Sequence, residues 1–194
     1  MKTSVKEKVK HVKWKVQRAK RGFSDCDVWS IDYWFIDVMP KMLSQLMENS
    51  NSCPELDEEG NRIEYGSAKE SEEVYVKRWK DILSRMIFLL REMDEDTCSM
   101  KNPYSEELHS YQREFRAKHG RLGDGLKSKE QLEEEKRSGL YTLLGPRDDP
   151  EMADGYNEVN EKYMDFERKK GAYMLSCKDE FFELFSKYFY DLWD

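Results

Sequence analysis

The chain of 194 residues is predicted to be all-α: an irregular helical bundle around an aromatic and methionine-rich core, with a helical insertion. Three observations predict it. Apolar residues recur at spacings of three and four over 25–48, 71–93 and 176–193. Aromatics reach 13% of the chain, with five Trp, eleven Tyr and nine Phe, so large side chains can fill a core although only 38% of residues are hydrophobic. Breakers such as Gly145-Pro146 and Pro150 fall between the periodic stretches rather than inside them.

The first 22 residues form a basic arm with nine Lys or Arg and one acid, Glu7, a net of +8. The remaining residues, 23–194, carry 24 basic and 39 acidic side chains, a net of -15. The arm's periodicity leaves two conformations open. Val12, Trp14 and Val16 share one face of a strand, whereas Val5, Val9 and Val12 share one face of a helix. Gly22 ends it, and Ser24 with Asp27 reads as a capping box for a helix over 25–48. In that helix Val28, Trp29, Ile31, Phe35, Met39, Met42, Leu43 and Leu46 cover about half the surface, which predicts a central helix with little water contact. Pro40 lies inside it and is expected to kink or split it.

Residues 49–70 read as a long loop. The next helix, 71–93, carries Tyr75, Trp79, Ile82, Leu83, Met86 and Leu90 on one face, flanked by Arg78 and Arg85. Leu108, Tyr111 and Phe115 place a helix over 105–118, with Gly120 past its end. Ser128 and Gln131 form a second capping box before a charged helix. Helical spacing resumes at Tyr156, Val159, Tyr163 and Phe166. The last helix, 176–193, carries Phe181, Phe182, Phe185, Tyr188 and Phe189. Within the domain 23–194, residues 95–172 are set apart as an insertion.

Asp32 is the sharpest single residue, because on the helical wheel it lies in the middle of the apolar arc. It is expected to be buried and bonded to Arg78, Arg85 or an indole N–H, since an unpaired buried carboxylate is costly. The competing reading is a catalytic or metal-binding carboxylate. Glu158/Glu161 and Glu180/Glu183 follow the spacing by which all-α nucleotide pyrophosphohydrolases hold magnesium, but the same spacing recurs at Glu55/Glu58, Glu70/Glu73, Glu92/Glu95 and Glu130/Glu133, as an acidic chain produces by chance. His11, His109 and His119 show no ligand spacing, and no phosphate-binding glycine loop or nucleophile elbow occurs. No cofactor is expected. Cys26, Cys53, Cys98 and Cys177 are scattered and, without an export signal, are expected as reduced thiols. No apolar run is long enough for a membrane span. The arm, through Lys10, Lys13, Trp14, Lys15, Arg18, Lys20 and Arg21, reads first as a tail that is solvated or docked on the acidic body. It reads second as a nucleic-acid contact, with lysines on phosphates and the indole on a base.

Three segments together resemble a group of uncharacterised helical proteins encoded by tailed bacteriophages and prophages. They are Arg21-Gly22-Phe23-Ser24-Asp25 running into Val28-Trp29-Ser30-Ile31-Asp32 and Met39-Pro40; Arg78-Trp79-Lys80-Asp81-Ile82-Leu83 with Met86-Ile87; and Leu184-Phe185-Ser186-Lys187-Tyr188-Phe189 with Asp191-Leu192-Trp193-Asp194. The chain departs from that group at Asn49-Ser50-Asn51-Ser52-Cys53-Pro54, where the group's turn contains Gly. The resemblance implies a helical core in which Trp29, Asp32, Trp79 and Trp193 act together, and it carries no activity. The expected function is a non-enzymatic accessory factor that binds a host or phage protein in the host cytoplasm, or an assembly component of the virion.

Overall fold

A computed structural model describes residues 5–49, 53–64 and 70–193, with side chains from residue 9 onward. Lys2, parts of the 49–70 loop and Asp194 lie outside the described residues. Among the described residues six α-helices account for the architecture: α1 Val5–Arg21, α2 Ile31–Asn49, α3 Glu72–Glu92, α4 Ser105–His119, α5 Lys129–Ser138 and α6 Ala153–Lys187. Among the described residues the only strand-like pairing is an isolated bridge between Leu56 and Arg62. The fold is all-α, as the sequence predicts. No helix among the described residues is long and apolar enough to cross a membrane.

The chain divides into two compact units. The first comprises residues 1–98 and 174–194, the second 99–173. The 35 residues of α6 form one unbroken helix, of which those to Tyr173 belong to the second unit and those from Met174 to the first.

In the first unit α3 is the buried element. Tyr75, Trp79, Leu83, Met86 and Leu90 are all inside, at the positions that the sequence assigns to its apolar face. Ser71 precedes the helix in an extended conformation and Glu72 and Glu73 occupy its first turn, where carboxylates favour the exposed N–H groups. Phe35 of α2 meets Phe181, Phe182 and Phe185 of α6 at ring-centroid distances of 5.9–6.1 Å. Phe181 also contacts Phe182 and Phe185, at 5.2 and 5.5 Å, and is fully buried. Tyr188 stands edge-on to Trp79, at 5.6 Å, and its hydroxyl donates to the carbonyl of Gly60 at 2.6 Å. Gly60 has φ +76, and a Cβ there would lie 2.7 Å from that hydroxyl, so the turn requires glycine.

Several helix boundaries differ from expectation. The predicted helix over 25–48 begins only at Ile31, because Asp27–Trp29 form a short 3-10 turn. It runs through Pro40 without splitting, and Ser44 Oγ donates to the Pro40 carbonyl at 2.8 Å. It is not a water-free central helix: only Leu43 of α2 is buried, while Ile31, Tyr33 and Met42 are exposed. The arm is a helix rather than a strand, and the last predicted helix is the end of α6, which stops at Lys187.

The second unit has its own core. Leu108 of α4 packs against Tyr156 and Val159 of α6, surrounded by Tyr104, Tyr111 and Tyr163. The Ser128–Gln131 capping box is formed in both directions, at 2.8 and 3.2 Å. Asp149 is buried at the centre of a polar clamp. It accepts from the Glu151 N–H at 2.9 Å, from Lys118 at 3.0 Å and pairs with His119 Nε2 at 2.8 Å. The Glu151 N–H, then His119 and Lys118, hold its carboxyl down to about 2 from the ordinary 3.8. A carboxyl depressed by folding stabilises the fold above its unfolded pKa and loses that contribution as pH falls toward the folded value. The wild type should therefore lose stability between about pH 4 and pH 2, and Asp149→Asn should flatten that part of the curve. Urea midpoints across that range check this; an unchanged acid limb in the variant would mean that the clamp is not the titrating element.

A candidate protein-docking groove

The groove lies wholly in the first unit and is built from the arm upward. Helix α1 presents Lys10, Lys13, Trp14 and Arg18 along one side. Behind Gly22, whose φ is +81, the chain reverses and places Asp25 and Asp27 beneath the helix. Arg18 grips Asp27 with two bonds, at 2.9 and 2.5 Å, while the Ser24 N–H donates to the same carboxylate at 2.7 Å. Gln17 and Asp25 bond reciprocally, at 2.7 and 3.0 Å, and Lys13 and Arg21 also pair with Asp25. Gln17, Arg21 and Lys13 hold the Asp25 carboxyl well below the ordinary range, and Arg18 with the Ser24 N–H does the same for Asp27. Asp27 thus supplies half of the expected capping box, but Arg18 competes for it and only a 3-10 turn follows.

Opposite α1, the groove is lined by Trp29, Asp32, Tyr33, Trp34, Ile36 and Asp37, by Met93, Asp94, Glu95 and Asp96, and by Met174. Its volume is about 1020 Å³. Seven of the lining side chains are carboxylates and three are basic, and two of the seven, Asp25 and Asp27, are engaged by the arm. The wall opposite α1 is therefore acidic and aromatic. Trp29 is 89% exposed, with Val28, Ile31 and Tyr33 exposed beside it.

Asp32 is exposed on this wall, not buried. Asp32 sits in the first turn of α2, where a carboxylate is favoured by the helix N-terminus and by contact with water, so its place on the apolar arc does not bury it. The expected partners are elsewhere. Arg78 bonds the Leu56 carbonyl at 2.8 Å and pairs with Glu70, and Arg85 grips Glu180 with two bonds of 2.6 Å. Trp79 is buried against Tyr188, whereas Trp29 and Trp193 are exposed. Trp29, Asp32, Trp79 and Trp193 with Arg78 and Arg85 do not form the joint polar core that the sequence implies.

Of the residues proposed for nucleic acid, Lys10 lies over the Trp14 ring at 4.9 Å, while Lys13, Arg18 and Arg21 pair with Asp25 or Asp27. Lys15 and Lys20 are exposed. Glu158/Glu161 and Glu180/Glu183 lie on one helix, α6, rather than on neighbouring helices, and Glu158 is paired with Lys162 as Glu180 is with Arg85. Among the described residues no three His, Cys, Asp or Glu side chains are placed to hold a metal ion. The four cysteines are free thiols, Cys26 exposed and Cys98 and Cys177 buried.

Sequence reasoning missed Asp25 and Asp27 as anchors of the arm, although an acidic pair just after a basic stretch was a readable signal. It also missed Asp94, Glu95 and Asp96, whose place in the groove depends on how α3 ends beside α2. Comparison with protein families, with curated proteins and with solved structures finds no match to this chain.

Proposed function

We propose that the chain is a non-enzymatic protein-binding factor whose groove receives a basic, amphipathic segment of a partner protein. The observation that carries the reading is the wall of Trp29 and Tyr33 set among Asp32, Asp37, Asp94 and Glu95, with the exposed Ile31 beside it in the chain. Exposed aromatics grouped in a recess are the kind of surface that dominates binding energy at interfaces. Surrounding carboxylates select a cationic partner and speed its approach. The resemblance to phage-encoded proteins supports a setting in the infected host cytoplasm, with a host protein, or a phage assembly protein, as partner.

The test uses the full chain and a labelled 18-residue amphipathic peptide of Leu and Lys, with a Gly/Lys peptide of the same charge as control. The Leu/Lys peptide should bind, and Trp29→Ala and Asp32→Lys should each weaken it about tenfold or more. Both positions are exposed, so Trp29→Ala should stay within about 0.5 kcal/mol of wild type, and Asp32→Lys, which reverses a charge at the start of α2, should cost no more than about 1–2 kcal/mol. Unchanged affinity in both variants would overturn the groove reading. Tight, salt-steep binding of mixed DNA or RNA would favour the arm as a nucleic-acid contact instead.

A further inference from the structure

Helix α1 has a second face that the groove does not use. Lys10, Trp14, Gln17, Arg18 and Arg21 point to the acidic body, where they line the groove or bond Asp25 and Asp27. On the far side stand Val9, Val12 and Val16, which are 65%, 61% and 47% exposed, followed by Ala19. Their spacing of three, four and three is that of alternating a and d positions in a heptad, and the sequence extends the register back to Val5. Trp14 and Arg21 then fall at f, opposite the seam, which agrees with the face turned to the body.

The flanks of this seam are uniform. Lys20 occupies e and Lys15 occupies g, and in the sequence Lys6 and Lys8 occupy the preceding e and g; Lys13, also at e, is at the border with the groove and pairs with Asp25. Two copies of α1 packed in parallel would place g lysines against e lysines, and antiparallel packing would place lysines against their own kind. Either arrangement repels, so the seam disfavours its own copy. A 17-residue helix of this composition is also marginal alone in water, since like charges one turn apart, such as Lys10/Lys13 and Lys15/Arg18, destabilise it. Packing of its apolar stripe would supply what propensity does not.

We infer that α1 is one half of a heterotypic helix pair, and that its Val9-Val12-Val16 seam takes an acidic amphipathic helix of another protein, apolar at a and d and rich in Glu at e and g. Valine at the two a positions, 9 and 16, fits a two-stranded pairing. The inference rests on the protein-binding reading but uses the opposite face of α1 and the opposite charge of partner. The two proposals therefore fail separately.

The experiment uses the full chain and a labelled 21-residue peptide with Leu at a and d and Glu at e and g, beside a twin with Lys at e and g. Fluorescence anisotropy at physiological salt should show binding of the acidic peptide to the full chain carrying Trp29→Ala, in which the groove is weakened, and about tenfold or weaker binding of the twin to that same protein. The double variant Val12→Gln with Val16→Gln, which keeps the charge and favours helix, should lose about tenfold or more of the affinity. Lys15→Glu with Lys20→Glu should weaken the acidic peptide and strengthen the twin. Trp29→Ala should leave the affinity for the acidic peptide unchanged. The inference is overturned if the acidic peptide does not bind. It is equally overturned if binding survives both valine replacements, because charge alone would then explain it. Mixed duplex DNA bound through Lys15 and Lys20, with no response to the valine replacements, would also overturn it and return the arm to nucleic acid.

Discussion

Phe181→Ala should destabilise the protein by about 3–5 kcal/mol, the usual cost of removing a buried aromatic ring from a core that cannot collapse around the gap. Phe181 is fully buried and touches the rings of Phe35, Phe182 and Phe185, so its removal strips contacts from α2 and from two turns of α6 at once. For a chain of this length each kcal/mol lowers Tm by roughly 2–4 °C. Thermal melts followed by far-UV circular dichroism and urea titrations check the value. A loss below about 1 kcal/mol would mean that the aromatic cluster does not join these two helices.

Trp79→Ala should cost a similar amount, about 3–5 kcal/mol, and Trp79→Phe much less. Both variants remove the indole nitrogen, and only phenylalanine keeps a ring in the core. Trp79 is buried beside Tyr188, yet its Nε1 has no hydrogen-bond partner among the described residues. A buried donor left unpaired costs about 1–3 kcal/mol, which phenylalanine recovers while keeping a ring in place. The smaller ring leaves a gap that offsets part of the gain. A Trp79→Phe penalty of about 3 kcal/mol or more would show that the N–H is satisfied in solution.

The elements that were legible in the sequence are those whose packing partner lies along their whole length. Tyr75, Trp79, Leu83, Met86 and Leu90 announce α3 because every turn of that helix is covered. Ser128 and Gln131 announce α5 because capping is local chemistry that needs no tertiary partner. What was not legible depended on distant structure. The join of 153–173 to 174–187 in one helix could not be read because Arg168, Lys169, Lys170 and Gly171 interrupt the apolar period. Solvated pairs such as Lys169 with Asp165 carry the helix across that interval. Asp32 stands out in the sequence as a carboxylate amid apolar residues, and in the fold it marks an uncovered apolar face rather than a buried charge. The apolar residues around it, Val28, Trp29, Ile31 and Tyr33, are the ones left exposed. Helical periodicity shows which residues share a face; it does not show whether anything covers that face.

The central claim is that this uncovered, acid-flanked face is where the protein binds. Hydrogen–deuterium exchange of the full chain, with and without a saturating Leu/Lys amphipathic peptide, tests it most directly. The account predicts slower exchange at the start of α2, over residues 31–37, and at 93–96, with the 105–119 helix of the second unit unchanged. Protection confined to the second unit, or none at the start of α2, would contradict it.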